Sequence, residues 1–201
     1  MDTESPGRLA DRPPASVRST SAAVARSVGR TVAIVLRHAI VMPRDHVGDV
    51  LRFADGTQGV VYRETRTGGA ELNDPALLLV CFRLRWVRGV GHRAFRIESL
   101  FNTPLFVGFP GFRSKLWLTN DENQLYRGVY QWDGAEPADF YARRLWRILA
   151  LVSSRSTIRY VVLPGLRRDD VLKNPALLAR SADDQSPWWL IIDALPHTMI
   201  N

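Results

Sequence analysis

The sequence predicts an α+β fold, and three observations support this prediction. Four segments between residues 77 and 164 have the composition and alternation of β-strands. Two segments between them show helical spacing, and only a short polar turn separates the second strand from the third. The resulting order, β-α-β-β-α-β, is the split β-α-β arrangement of ferredoxin-like folds, an antiparallel sheet with two helices.

The N-terminal part of the chain is predicted to lie outside this core. Residues 1–20 are rich in Ser, Pro, Arg and Asp, show no periodicity and are predicted to be a disordered arm. Residues 21–45 are predicted to form a basic amphipathic helix, because valines recur at helical spacing until Pro43 ends the pattern.

The positive charge is concentrated in the same N-terminal part. Six arginines and no acid lie between Arg12 and Arg44, whereas the rest of the chain has a net charge of about +1 out of +7. The basic helix either packs on its own domain or a partner subunit, or contacts an anionic membrane through residues 21–44. Nucleic-acid binding is not expected, because aromatic residues do not alternate with the basic ones.

Residues 47–201 are predicted to form a single α+β domain. Residues 50–65 read as a β-hairpin, because Asp55-Gly56 supplies the positive φ that a tight turn needs. The core covers residues 77–165, and a C-terminal extension, residues 166–201, contains a further strand at Trp188–Ile192. The predicted core elements are the strand Leu77–Val87, the helix Gly91–Phe106, the strands Gly111–Leu118 and Tyr126–Trp132, the helix Ala135–Ser153 and the strand Thr157–Pro164.

Three consecutive stretches of the core resemble a known family. They are Phe109–Trp117, which leads into the second strand, the third strand Gly128–Trp132, and Asp133–Glu136, which leads into the second helix. In these residues the chain resembles the dimeric α/β-barrel superfamily, in particular its antibiotic-biosynthesis-monooxygenase-like members, over about residues 77–165. The resemblance implies a homodimer in which the open face of the sheet packs on a second subunit. It also implies a substrate cavity between the sheet and the helices.

Strand alternation predicts which side chains line that cavity. In the family a Trp near the end of the third strand lines it, and Trp132 takes that position. The same predicted face lies under the helices and includes Val80, Leu84, Phe112, Leu116, Leu118, Ile158 and Val162. The candidate catalytic residues are Trp132, Tyr130, Tyr160 and His92, and the candidate pocket residues are Phe82, Trp86, Tyr126, Tyr141 and Trp146. Aromatic walls suit an apolar or aromatic small molecule, but the same residues also suit a filled core.

The other face of the sheet is predicted to be cationic. It is assigned Cys81, Trp117, Val129, Gln131 and Val161 together with Arg83, Arg85, Arg113, Lys115, Arg127 and Arg159. These cations are either solvated, or paired with acids across an interface (for instance from the partner's 120–123 loop), or they bind an anion.

No cofactor or metal is expected. Related haem-degrading enzymes use a histidine on the second helix, and residues 135–155 contain none. His46 and Asp49 have the spacing of two metal ligands, but nothing near them in sequence completes a site. The single cysteine, Cys81, lies in an apolar run and indicates a buried side chain in a reducing, cytoplasmic setting. The apolar run at residues 31–36 is too short for a membrane span.

Two functions remain open from the sequence. The first is that of a cofactor-independent monooxygenase-type enzyme, which acts on an aromatic or polyketide-like molecule between the sheet and the helices. The second is that of a non-catalytic small-molecule-binding or assembly module of the same fold, whose basic arm contacts a membrane surface or a partner.

Overall fold

The structure is a computed structural model that describes residues 9–10, 12–16, 20–21, 26–27, 40–68, 71–85, 107–182 and 187–199. Nine strands in these residues form one antiparallel sheet in the order β1-β8-β5-β7-β6-β4-β3-β9, and β2 pairs with β4 beside this path. The strands are β1 (Leu9–Ala10), β2 (Ile40–Val41), β3 (Val50–Phe53), β4 (Gln58–Thr67), β5 (Pro75–Arg83), β6 (Phe112–Leu118), β7 (Leu125–Asp133), β8 (Arg159–Pro164) and β9 (Ile191–Leu195).

The centre of the sheet has the strand order that a split β-α-β fold requires. In chain order β5, β6, β7 and β8 are the four core strands, and they lie side by side as β8-β5-β7-β6. Helix α1 (Ala135–Val152) connects β7 to β8, as the sequence predicts. The predicted helix Gly91–Phe106, in the connection from β5 to β6, lies outside the described residues. The α+β class with an antiparallel sheet is confirmed.

The residues at the two ends of helix α1 explain where it begins and ends. Gly134 precedes it with φ 103°, a backbone conformation that favours glycine. Pro137 is tolerated in the first turn, where its missing N–H has no intrahelical partner. At the other end, the N–H of Ser153 donates to the carbonyl of Leu149, and the chain then becomes extended.

The predicted hairpin is confirmed, and it extends the sheet. β3 and β4 pair across a turn in which Gly56 has φ 81°. β4 is ten residues long, so its second half also pairs with β6. The predicted C-terminal strand is shifted by three residues, because Trp189 is buried in a turn before β9.

The N-terminal predictions fall mostly outside the described residues. Leu9–Ala10, in the arm predicted to be disordered, pair with β8. Residue 20, the last of that arm, is helical, as are residues 21 and 26–27 of the predicted helix. Ile40–Val41 form a strand instead, since they pair with Thr67 and Arg66 of β4. No helix in the described ranges is both long enough and apolar enough to cross a membrane.

The face assignment along β6 is corrected by a β-bulge. Phe112 pairs with Trp132 and Ser114 with Gln131, so Arg113 is an extra residue and alternation inverts after it. Lys115 and Trp117 therefore lie on the face under α1, whereas Leu116 and Leu118 lie on the other face.

The second face of the sheet is covered by this chain itself. Leu77, Leu79, Val129 and Val161 pack with residues of the C-terminal extension, including Trp189. The extension contains helix α2 (Arg168–Lys173), the 3-10 helix Pro175–Ser181, β9 and the 3-10 helix His197–Met199. The resemblance implies an open face that packs on a second subunit, whereas in this structure these segments of the same chain bury that face.

Candidate functional site

The aromatic residues predicted to line a pocket form a packed cluster under α1. Trp132 lies between Tyr141 and Phe112, with ring centroids 5.0 and 5.6 Å away. The ring centroid of Tyr130 lies 5.8 Å from that of Tyr141. Trp132 is 0% exposed, and no residue of the described chain accepts a hydrogen bond from its Nε1. Trp132 lines neither of the two cavities described below.

The tyrosines of this cluster are held in their neutral form. Burial raises the pKa of Tyr130 and outweighs the opposing effect of its hydrogen bond with Tyr141. Burial also raises the pKa of Tyr141, as does its contact with Tyr130. Both side chains can therefore serve as hydrogen-bond partners at neutral pH but not as phenolate bases.

A cavity of about 380 Å³ lies on the same side of the sheet, beside the start of β8. Two of the predicted pocket residues, Tyr160 and Trp146, line it. Its lining residues are Arg12, Pro13, Pro14, Trp146, Ser156, Ile158, Arg159 and Tyr160. Its volume falls in the range of small-molecule sites, and it combines an aromatic wall with two guanidinium groups.

The N-terminal strap, defined as residues 12–16, forms one wall of this cavity. Two arginines of α1 hold it through its backbone: Arg143 Nε donates to the carbonyl of Pro13 and Arg147 Nε to that of Ala15, both at 2.7 Å. The N–H of Ala15 donates in return to the Arg143 carbonyl. The cavity therefore depends on the strap remaining docked on α1.

Tyr160 and Asp139 form a buried pair beside the cavity. The Tyr160 hydroxyl donates to Asp139 Oδ1 at 2.8 Å and accepts from the Arg12 backbone N–H at 3.1 Å. Burial, followed by the Asp139 carboxylate, raises the pKa of Tyr160. The phenol therefore stays protonated and donates its hydrogen bond to the carboxylate of Asp139, a residue that is only 5% exposed.

Other predicted pocket residues are not brought to this cavity. Phe82 and Tyr126 stack on each other with centroids 5.8 Å apart. Trp86 and His92 lie outside the described residues, so their predicted roles stay predictions.

Sequence reasoning missed Asp139 and misplaced Lys115. Asp139 lies on α1 four residues after Ala135, and the charge pattern gave no sign that it faces inward. Lys115 is buried under α1, its Nζ 3.0 Å from the Trp117 ring centroid and 4.6 Å from that of Tyr130. Burial and the Arg63 charge hold the pKa of Lys115 well below its ordinary value.

The cationic side chains predicted to share one face lie in different environments. Arg127 is buried and pairs with Asp121 at 2.6 Å and with Asp55 at 2.8 Å, so acids of its own chain compensate it. Arg83 and Arg85 are exposed, and Arg159 lines the cavity beside Tyr160. The 120–123 loop supplies the expected acid, but to the same chain.

His46 is part of a hydrogen-bonded cluster. Its Nδ1 lies 2.9 Å from Asp49 Oδ2 and its Nε2 lies 3.7 Å from Asp169 Oδ1. His197 lies against the other oxygen of Asp49 at 3.3 Å. Among the described residues, no group of three or more His, Cys, Asp and Glu side chains is arranged to hold a metal ion.

The comparisons with known proteins give little beyond this geometry. No protein-family model matches the chain, and no curated protein matches it. Among solved structures, the chain is similar to an anthrone oxidase-like protein with 17% identity and a TM-score of 0.33. The alignment covers 53% of this chain and 54% of that protein, so the chain spans about half the length of this relative.

Proposed function

We propose that the chain binds a flat, aromatic, anionic small molecule in the cavity between β8, α1 and the N-terminal strap. The observation that carries this proposal is the lining of the cavity, in which Trp146 and Tyr160 stand beside Arg12 and Arg159. Aromatic side chains stack on a flat ligand, and guanidinium groups bind carboxylate, phenolate or enolate oxygens. The cavity thus offers aromatic side chains for the ring of such a ligand and guanidinium groups for its negative charge.

A monooxygenase-type reaction is the finer form of this proposal, and the Tyr160–Asp139 pair favours it. Asp139 acts as the base: a proton passes from an activated C–H of the ligand to the Tyr160 oxygen while the Tyr160 proton passes to Asp139. The resulting carbanion, stabilised by the arginines, supplies the electrons that reduce O2. An activated methylene thereby becomes a carbonyl, and the second oxygen atom leaves as water.

Binding is tested with 8-anilinonaphthalene-1-sulfonate, a fluorescent aromatic anion. We expect saturable fluorescence enhancement with one site, and at least a tenfold weaker Kd for Trp146→Ala and Arg159→Gln. Arg155→Gln is the matched control, because Arg155 is exposed on the neighbouring 3-10 helix and does not line the cavity. Equal affinities of Arg159→Gln and Arg155→Gln would contradict the proposal.

Catalysis is tested separately from binding. Oxygen uptake is measured with polyphenolic probes that carry an activated methylene group, and Asp139→Asn is compared with the unmodified chain. We expect the variant to bind the fluorescent anion within about threefold of the unmodified chain and to lose turnover by about 100-fold. Binding without oxygen uptake in the unmodified chain would leave the non-catalytic binding module as the function.

A further inference from the structure

A second cavity, of about 420 Å³, lies on the other face of the sheet. It is formed where the ends of β4, β6 and β7 meet the start of α2. We call it the arginine cleft, and its lining residues are Arg66, Thr67, Glu71, Leu72, Arg113, Ser114, Gln131, Arg167, Arg168, Asp169 and Asp170. None of these residues lines the cavity beside Tyr160, so the two sites are separate.

The base of the arginine cleft is a rigid polar network. Arg168 is 2% exposed, and its guanidinium donates to Ser114 Oγ and to Glu64 Oε1, each at 2.9 Å. The Gln131 side chain accepts from the Arg168 backbone N–H. Glu64 Oε1 also accepts from Arg66 Nη2 at 2.8 Å. These bonds hold the Arg168 guanidinium in one position at the base of the cleft.

The β-bulge in β6 directs a further cation to the cleft. Arg113 is the extra residue of the bulge, and a bulge re-aims the side chain it carries. One end of its guanidinium, Nη2, donates to Asp133 Oδ2 at 2.7 Å, and its Nη1 donates to no residue that the structure describes. Arg167 donates to the Leu72 carbonyl and forms no ion pair within the described ranges. Both arginines thus keep N–H groups available.

Two of the three acids that line the cleft also lack an ion-pair partner among the described residues, whereas the third, Asp169, pairs with Arg168 at 2.7 Å. Glu71 and Asp170 form no ion pair or side-chain hydrogen bond with the part of the chain that the structure describes. The cleft therefore presents uncompensated charge of both signs around one space. A simple polyanion such as phosphate would meet the acids as well as the arginines, and a simple amine would meet the arginines.

We propose that the arginine cleft binds a small carboxylic acid that also carries a hydrogen-bond donor, as a 2-amino or 2-hydroxy acid does. The carboxylate lies against Arg113 and Arg167, since a guanidinium presents two parallel N–H donors to it. The amine or hydroxyl donates to Glu71 or Asp170. This ligand matches both sets of unpaired charges at once.

The experiment compares four probes by isothermal titration calorimetry with the full chain. Alanine and lactate carry the carboxylate and the donor, propionate carries the carboxylate alone, and inorganic phosphate carries negative charge without a carboxylate. We expect alanine or lactate to bind at least tenfold more tightly than propionate and phosphate. Equal binding of all four, or no binding at about 10 mM of each probe, overturns the proposal.

Variants identify the residues that bind the probes. Arg167→Gln and Arg113→Gln are expected to weaken the Kd of the preferred probe at least tenfold. Arg180→Gln is the control, because Arg180 is an exposed arginine on the 3-10 helix Pro175–Ser181, outside the cleft. Arg167 contacts only a backbone carbonyl, so its variant stays folded even if Arg113→Gln does not. An unchanged affinity in Arg167→Gln overturns the assignment of the carboxylate.

Discussion

His46 links three segments of the chain through two acids. Its ring nitrogens face Asp49, in the turn before β3, and Asp169, at the start of α2. His197, in the C-terminal 3-10 helix, also contacts Asp49. The contact with the Asp169 carboxylate, which outweighs the cost of burial, raises the pKa of His46 above 6.5. The hydrogen bond to Asp49 and the charge of Glu64 raise it further, while Arg168 opposes them. The pKa of Asp169 is correspondingly lowered, first by His46.

The His46 cluster predicts a loss of stability towards alkaline pH. A folded-state pKa above the unfolded value of 6.5 means that the contribution of His46 is complete below pH 6.5. That contribution is lost as the pH rises through the folded pKa. We expect urea unfolding from about pH 5.5 to about pH 8.5 to show this decline for the unmodified chain and a flatter profile for His46→Gln.

The matched control is His197→Gln, because His197 is more exposed and its backbone N–H still binds Asp49 after the change. Parallel pH profiles of the unmodified chain and His46→Gln would exclude His46 as the titrating group.

At the same scale, Arg127 shows that the positions of charged residues in a sequence do not reveal which of them form ion pairs. Strand alternation correctly assigns it to the second face, away from α1. Its partners Asp121 and Asp55 come from two turns, one of them 72 residues away in sequence. Only the packing of the β3–β4 turn on β7 brings Asp55 to this position.

At the scale of elements, β6 is where sequence periodicity misleads. Its apolar alternation is intact within each part, but the bulge at Arg113 shifts the register against β7. No residue type marks a bulge reliably, so the inversion of Lys115 and Leu116 was not visible in the sequence. The bulge follows Gly111, whose φ of 84° turns the chain into the strand.

Gly111 is predicted to be far less tolerant of substitution than Gly56. Both glycines have positive φ, so alanine is strained at either position. A Cβ on Gly111 would lie 2.5 Å from the Asp133 carbonyl oxygen, whereas a Cβ on Gly56 would meet nothing within 4 Å. We expect Gly111→Ala to lower the free energy of unfolding by about 2 kcal/mol more than Gly56→Ala in urea denaturation. Similar losses in the two variants would show that the turn before β6 can relax.

At the scale of the whole molecule, the chain has two apolar cores, one on each face of the sheet. The first lies under α1 and contains Trp132 and Tyr141, and the second lies under the C-terminal extension and contains Trp189. The second core accounts for the burial of a face that the family resemblance assigns to a partner subunit. A homodimer stays a prediction, and it would have to use another surface.

Two neighbouring tryptophans test whether the extension closes the second core. Trp189 is 2% exposed within that core, whereas Trp188 is only partly buried at its margin. We expect Trp189→Ala to lower the free energy of unfolding by about 3–5 kcal/mol, and Trp188→Ala by less than half of that, in urea unfolding followed by circular dichroism. Equal effects of the two substitutions would mean that the extension does not depend on Trp189.

The fold class, the core strands, the helix after β7 and the hairpin at Gly56 were predictable from the amino-acid sequence. These features rest on local signals such as alternation, helical spacing and turn glycines, and each acts within about ten residues. The contacts between distant residues, in contrast, became visible only in the tertiary structure. It set the bulge that inverts β6, the extension that covers the second face, and the strap that turns Tyr160 and Trp146 into a cavity wall. These depend on contacts between segments far apart in the chain, and periodicity carries no information about such contacts.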